Sequence, residues 1–346
     1  KIKIDNPIIT FINDPNDTKT TKSKEKKTKQ SKDDILYLIS KIVLDNADIK
    51  YSIRTTQNKE HKVLLANKIN CRVSNISNDP KHLINNPELK LELIGKAFNQ
   101  AGITISARMD QRKGVDSGKL KFDLTDLSLK EVSNRLKPII HKELKDGKLD
   151  ALHIVLNTKD NNFDGNISLK GLEIVDLEMS GKKKNPDLLS VKINDINVGF
   201  SKNGIDTKTA ILFPSIEIVK PEISIRKFAD KNKKPKKKME NKPFFAPYAN
   251  DANLIIDKFS IKYAQFKMFA DNETTSYTAI KNTSISAKGI RLYKNKKESV
   301  VPLSIKDLEF DAKGIGTVNN PNTHMSVSSI HYSLKQEKLT VNNFKL

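Results

Sequence analysis

The sequence predicts a mainly β protein, built from a repeated unit, with one or two helices packed on the sheet. Three observations point there. Most of the 346-residue chain alternates apolar and polar residues with a period of two. Gly, Pro, Asn and Asp punctuate these short runs. One order of features also occurs twice along the chain.

The repeat begins at the start. "KIKIDNPIITFIND" (1–14) matches "SIEIVKPEISIRKF" (215–228), each an alternating run broken by a proline, with Pro7 and Pro221 standing 214 positions apart. A lysine-rich stretch follows each, "KTTKSKEKKTKQSK" (19–32) and "KNKKPKKKMENK" (231–242). Next come "KIVLDNADIKY" (41–51) and "KFSIKYAQFKM" (258–268). "NKINCRVSNI" (67–76) and "KNTSISAKGI" (281–290) then restore the offset of 214 at Ile76 and Ile290. The spacing predicts a first unit over 1–214 and the start of a second, partial copy over 215–346. The stretches 15–33 and 229–243 read as flexible, solvated loops.

Helical spacing is rare. "DDILYLISKI" (33–42) reads as a short helix. Over 128–147, Leu129, Val132, Leu136, Ile139, Ile140 and Leu144 recur at three- and four-residue intervals. Ser128 with Glu131 fits a capping box and Gly147 a C-terminal stop, so the helix is expected over 128–145. Pro138 should weaken or kink it.

Strands fill the rest. In "LHIVL", Leu152, Ile154 and Leu156 share a face. Ile167 and Leu169 do so in "NISLKGLEI", where Gly171 marks a bulge or bend. Val191 and Ile193 align before a slip at Asp195; the pattern restarts at Ile196, Val198 and Phe200. Leu152, Ile154, Leu156, Ile167, Leu169, Val191 and Ile193, with Ile223 and Ile225, are the candidate apolar-groove residues. A closed sandwich would bury them against a second sheet, whereas an open trough needs a ligand to cover them. Periodicity does not choose between the two.

Composition bounds the chemistry. The formal charge is +21, yet the arginines are only Arg54, Arg72, Arg108, Arg112, Arg135, Arg226 and Arg291. Base reading and bidentate phosphate recognition favour arginine's planar fork, which argues against a nucleic-acid partner. Attraction of Lys233, Lys234, Lys236, Lys237 and Lys238 to anionic headgroups is the functional alternative to a composition bias. Cys71 is the sole cysteine, so neither an intrachain disulfide nor a cysteine-based zinc site can form. The histidines are scattered, and Asp123, Asp126 and Asp195 read as turn, cap and bulge residues. No catalytic or metal-binding residue and no cofactor is expected. No apolar run is long enough to span a membrane as a helix. The chain opens on Lys1 rather than Met, which reads as a fragment or processed product.

The order of elements resembles the AsmA-like family of bacterial envelope proteins, relatives of TamB and of bridge-like lipid-transfer proteins. The cues are "IKIDNPIITFIND" followed after a linker by "ISKIVLDNADIKY", and the segment 118–174, "GKLKFDLTDLSLKEVSNRLKPIIHKELKDGKLDALHIVLNTKDNNFDGNISLKGLEI". "VKINDINVGF" (191–200) is a weaker third cue. The resemblance covers most of the chain, though its motifs are degenerate, and the family's usual N-terminal membrane helix is not among these residues. It implies an elongated, curved, groove-like antiparallel sheet. It also implies a non-enzymatic periplasmic protein of a Gram-negative bacterium, held at the inner membrane by a segment outside this chain. Such a protein would shield phospholipid or another envelope lipid in transit, in support of outer-membrane biogenesis. The competing expectation is a β scaffold of the envelope without lipid cargo.

Overall fold

A computed structural model describes residues 1–13, 36–54, 60–114, 117–140, 144–160, 162–179, 187–202, 210–228, 254–270, 278–292, 303–320, 323–333 and 338–343. The lysine-rich stretches at 15–33 and 229–243 lie outside these residues. The fold is mainly β, as the alternation predicts, with two helices among the described residues.

Two compact units emerge. The first comprises residues 1–127 with 157–159, and the second 128–156 with 160–346. The position 214/215, where the sequence repeat restarts, falls inside the second unit.

In the first unit β1 (Ile2–Asp5) and β2 (Ile8–Asn13) both run parallel to β3 (Leu38–Arg54). Antiparallel ladders then join β3 to β4 (Glu60–Ser77), β5 (Glu88–Ala97), β6 (Ala101–Asp110) and β7 (Ser117–Ser128). The short α1 (Pro80–Asn85) sits between β4 and β5, with Asp79 accepting from the Lys81 amide at 2.9 Å and Pro80 opening the helix.

The second unit holds α2 (Leu129–Ile140), β8 (Leu144–Lys159, whose last three residues cluster with the first unit), β9 (Asn162–Glu178) and β10 (Leu188–Lys202). β10 pairs antiparallel with β9, β11 (Ile211–Val219) and β12 (Glu222–Lys227). β11 and β12 in turn run parallel to β13 (Leu254–Ala270). β14 (Thr278–Leu292), β15 (Leu303–Ser304), β16 (Asp307–Asn320), β17 (Thr323–Ser333) and β18 (Lys338–Asn342) complete it antiparallel. The pairing is therefore mixed, where the resemblance implied an antiparallel sheet.

Both helix expectations need correction. From Leu38 the segment expected as a helix over 33–42 is strand, because its isoleucines pair across to β4, with Ile39 opposite Ile76 and Ile42 opposite Val73. The second helix begins as expected: Ser128 Oγ accepts from the Glu131 amide at 3.3 Å. It ends at Ile140, short of residue 145, and Gly147 is no helix stop. Leu144 and Gly147 belong to β8, where a Cβ on Gly147 would stand 2.7 Å from the Glu173 carbonyl oxygen. The Leu144 amide donates to Ser133 Oγ of the helix at 3.2 Å, and Leu144 and Leu149 are buried.

The core is thin. Its best-sealed apolar cluster is Ala47, Ala66, Ile69 and Cys71, flanked by Leu44, Ile49, Val73, Leu93 and Ile103. Among the described residues the largest side chain below 2% exposure is Ser52. Burial pushes the Cys71 thiol above its usual range, which keeps it protonated and inert near neutral pH.

Strands bend where single residues enter the left-handed region, and these positions recur between the units. Asn6 (φ 52°) matches Lys220 (49°), and Asn46 (54°) matches Tyr263 (58°). Lys68 (52°) matches Asn282 (48°), and Asn75 (61°) matches Gly289 (61°). The hydrogen bonds at the proline break also match. Asn6 N donates to Asp45 O (2.9 Å) and Asp48 N to Pro7 O (3.0 Å). In the second unit Lys220 N donates to Lys262 O (2.8 Å) and Gln265 N to Pro221 O (2.8 Å). Each copy breaks one strand at a proline and places a left-handed residue opposite in its parallel partner.

Candidate functional site

The candidate site is a set of apolar rows crossing the strands. Directly paired residues present side chains on the same face of a sheet. In the first unit one row runs Ile4–Leu44–Cys71–Leu93–Ile105–Phe122 across β1, β3, β4, β5, β6 and β7. Beside it runs Ile2–Ile42–Val73–Leu91–Ala107–Leu120. In the second unit the rows are Leu169–Ile196–Ile218–Ile261–Ile285–Phe310 and Ile167–Val198–Ile216–Phe259–Ala287–Leu308, across β9, β10, β11, β13, β14 and β16. Cys71 and Ala287 are buried, whereas every Ile, Leu, Val and Phe in these rows keeps part of its surface in solvent.

The expected groove residues fall into three groups. Ile167 and Leu169 belong to the rows just described. Val191, Ile193, Ile223 and Ile225 lie beyond the slip: Val191 pairs with Ile174 and Ile223, Ile193 with Leu172, and Ile225 with Leu189. Ile223 and Ile225 extend the group to Phe266 and Met268 on β13. Leu152, Ile154 and Leu156 alternate along β8, half-buried, one residue out of step with the buried Leu149. The approach of Gly165 to Val155 and of Gly171 to Asp150 lays β8 antiparallel beside β9. Gly171, at φ +61°, sits at the slip, and a Cβ there would lie 1.9 Å from Asp150 Oδ2. Gly165 leaves room for the Phe200 ring, whose centroid is 6.2 Å from that of Phe163.

Several row members were not among the expected groove residues: Ile218, Phe259, Ile261, Ile285, Leu308 and Phe310. The signal was present, because the repeat places Ile218 and Ile261 where Ile4 and Leu44 stand in the first copy. What the alternation lacks is the phase reversal at Asn46, Lys68, Tyr263 and Asn282, since a one-residue slip moves a strand's side chains to the other face.

The opposite face is charged. A depression of about 230 Å³ on β9, β10, β12 and β13 is crossed by the row Glu173–Lys192–Glu222–Gln265 and by Ser190–Ser224–Lys267. Acid and base alternate there, so it selects no ligand charge. On β5, β6 and β7 the rows Lys90–Arg108–Lys119 and Glu92–Ser106–Lys121 frame a more basic depression of about 270 Å³. Sequence reasoning missed this patch because its cations come from three separate strands. The headgroup candidates Lys233, Lys234, Lys236, Lys237 and Lys238 lie outside the described residues.

Asp126 takes φ 57° within β7, and Asp110 receives Arg112 Nη2 at 2.7 Å, which holds its carboxyl below the usual range. Asn75 donates to the Asn86 and Glu88 carbonyls at 2.8 Å each and meets His82 Nε2 at 2.7 Å, tying α1 to β4. Among the described residues no group of three or more His, Cys, Asp or Glu could hold a metal ion. No helix among them is long and apolar enough to cross a membrane. Comparison with known proteins returns no matching family model, no matching curated protein and no matching solved structure.

Proposed function

We propose that this chain handles lipid without catalysing a reaction, its apolar rows sheltering acyl chains. The observation that carries this reading is the pair of six-strand apolar rows in each unit. Their large side chains stay partly in solvent. In a closed sandwich, inner-face Ile, Leu and Phe would be sealed. An apolar band of this extent is unfavourable in water unless something covers it. Acyl chains fit the need, because each buried methylene contributes about 0.8 kcal/mol and requires no hydrogen-bond partner. The basic patch of Lys90, Arg108, Lys119 and Lys121 gives anionic headgroups an attraction on the polar face. Read with the AsmA-like resemblance, this is a cell-envelope role: a periplasmic protein, anchored at the inner membrane, that passes phospholipid toward the outer membrane.

Native mass spectrometry of the purified chain, with organic extraction of what co-purifies, tests the reading. Stoichiometric phospholipid is expected, and it should be lost in an Ile196→Asp, Ile261→Asp variant that keeps its β circular dichroism. A clean apo mass with no uptake of fluorescent lipid would favour the envelope scaffold instead. Separately, replacing Lys233, Lys234, Lys236, Lys237 and Lys238 by Gln should weaken liposome binding at low salt. Unchanged binding removes those lysines from the proposal.

A further inference from the structure

Like charges gather on the polar face of the first unit. Lys90, Arg108 and Lys119 stand directly opposite one another on β5, β6 and β7, and the row continues through Ser74 to Lys41. Beside it, Arg72 and Lys121 flank Glu92 and Ser106. Of these cations all but the half-buried Lys41 are exposed. Among the described residues only Lys90 of this set has an ion pair, with Glu88 at 3.1 Å. Like charges in direct cross-strand register weaken a sheet. At the same place the second copy reads Lys258–Lys288–Asp307, with an acid where Lys90 stands, and Ser286 replaces Arg72. A lysine-rich composition alone would load both copies alike. Cations concentrated on one copy, at a cost to its own sheet, call for a counter-charge from outside.

We propose that this face docks the first unit on the surface of an anionic phospholipid bilayer, with the apolar rows of the opposite face turned away from that surface. The geometry chooses this occupant. From β3 to β7, four strand spacings spread the cations over about 19 Å, too wide for one phosphate group. Lysine outnumbers arginine here, which suits mobile headgroups met as point charges better than the bidentate contacts of nucleic-acid recognition. No aromatic side chain stands in these two rows, so a specific protein partner would lack an anchor. Bilayer docking and the sheltering of acyl chains then use opposite faces of the sheet and can be separated by mutation. The docking stands on the polar face alone, so it holds or fails apart from what the apolar rows carry.

Flotation of the intact chain with vesicles tests this. Binding is expected to phosphatidylglycerol and phosphatidylcholine in equal parts, not to phosphatidylcholine alone, and it should fade when salt cuts the screening length to about 3 Å. An Arg108→Gln, Lys119→Gln, Lys121→Gln variant should bind about tenfold more weakly or worse. It should melt no lower than the parent chain, because it relieves like-charge contacts, and it should keep any phospholipid that co-purifies. Lys258→Gln, Lys281→Gln and Lys288→Gln remove the same charge from the second unit and should leave binding unchanged. Bound vesicles should shield Lys119 and Lys121 from chemical acetylation, a readout that needs no variant. Equal binding by the first variant, equal weakening by the second-unit variant, tight binding to phosphatidylcholine alone, or no shielding would overturn the proposal. So would loss of co-purifying phospholipid in the first variant, because the two faces would then act as one site. Tighter binding of polyglutamate or duplex DNA than of the vesicles would also overturn it, by making another polyanion the occupant.

Discussion

Two copies of one bend, at Pro7 and at Pro221, share their backbone but only a minority of their side chains. Asn46 stands where Tyr263 does, Cys71 where Ile285 does, and Gly95 where Ala312 does. What persists is the position of each left-handed residue and of each apolar row. The fold is thus specified by the phase of alternation and the places where it reverses. Most identities are free within that frame.

The largest effect should come from making the second copy resemble the first. Val198→Pro removes a central amide of β10, which pairs on both sides, and costs about 3 kcal/mol or more. Exchange at β11 should then rise. Unchanged exchange at β11 would show that β10 is not what protects it.

Next is the packing at the bend. A Cβ on Gly95 would stand 2.3 Å from Ile69 Cδ1, and Ile69 is only 3% exposed. Gly95→Ala should cost about 1–3 kcal/mol by overpacking. The second copy holds Thr283 and Ala312 at the equivalent places, both buried. Adding Ile69→Thr to Gly95→Ala should therefore recover much of the loss in a double-mutant cycle followed by urea unfolding. Strict additivity would mean that the two positions do not share their space.

A smaller gain is expected at Tyr263. A bulky residue is strained at φ 58°, whereas Asn tolerates that conformation. The ring is largely exposed, so Tyr263→Asn should stabilise by about 0.5–1 kcal/mol. Destabilisation in thermal melts would mean that the ring makes contacts worth more than the strain.

Least affected should be a charge exchange. Lys3 Nζ bridges Asp45 at 3.1 Å, and at the equivalent places Glu217 is bridged by Lys262. These pairs are exposed, so Lys3→Glu with Asp45→Lys should leave the melting temperature unchanged. Both lysines are held above the usual range, chiefly by hydrogen bonds to carboxylates: Asp5 and Asp45 for Lys3, Glu217 for Lys262. Any stability from this is present below the unfolded lysine range and lost only as pH rises through the elevated folded value.

Much of this was legible. Period-two alternation marks nearly every strand, and the proline-centred phrases mark both bends. "DDILYLISKI" misled because its apolar spacing suits either period, and pairing with β4 decided for strand. The helix over 128–145 was drawn too long because Leu144 and Gly147, which serve β8, continue its periodicity. The motif Asp79–Pro80, which opens α1, was too short to stand out. For the site, each named groove residue does lie on a strand. The rows were not legible because their continuity depends on left-handed Asn46, Lys68, Tyr263 and Asn282, and of these Lys68 and Tyr263 are residue types that give no such signal in a sequence. Gly171 did give that signal.

The reversed ion pairs have a consequence for folding. Two nearly interchangeable bends in one chain invite strands to settle on the wrong partner. Were β1 to lie on β13, Lys3 would face Lys262. Were β11 to lie on β3, Glu217 would face Asp45. Each exposed bridge is worth little where it belongs, yet together they label the copies, so that a misplaced strand meets repulsion where the correct one meets its counter-ion.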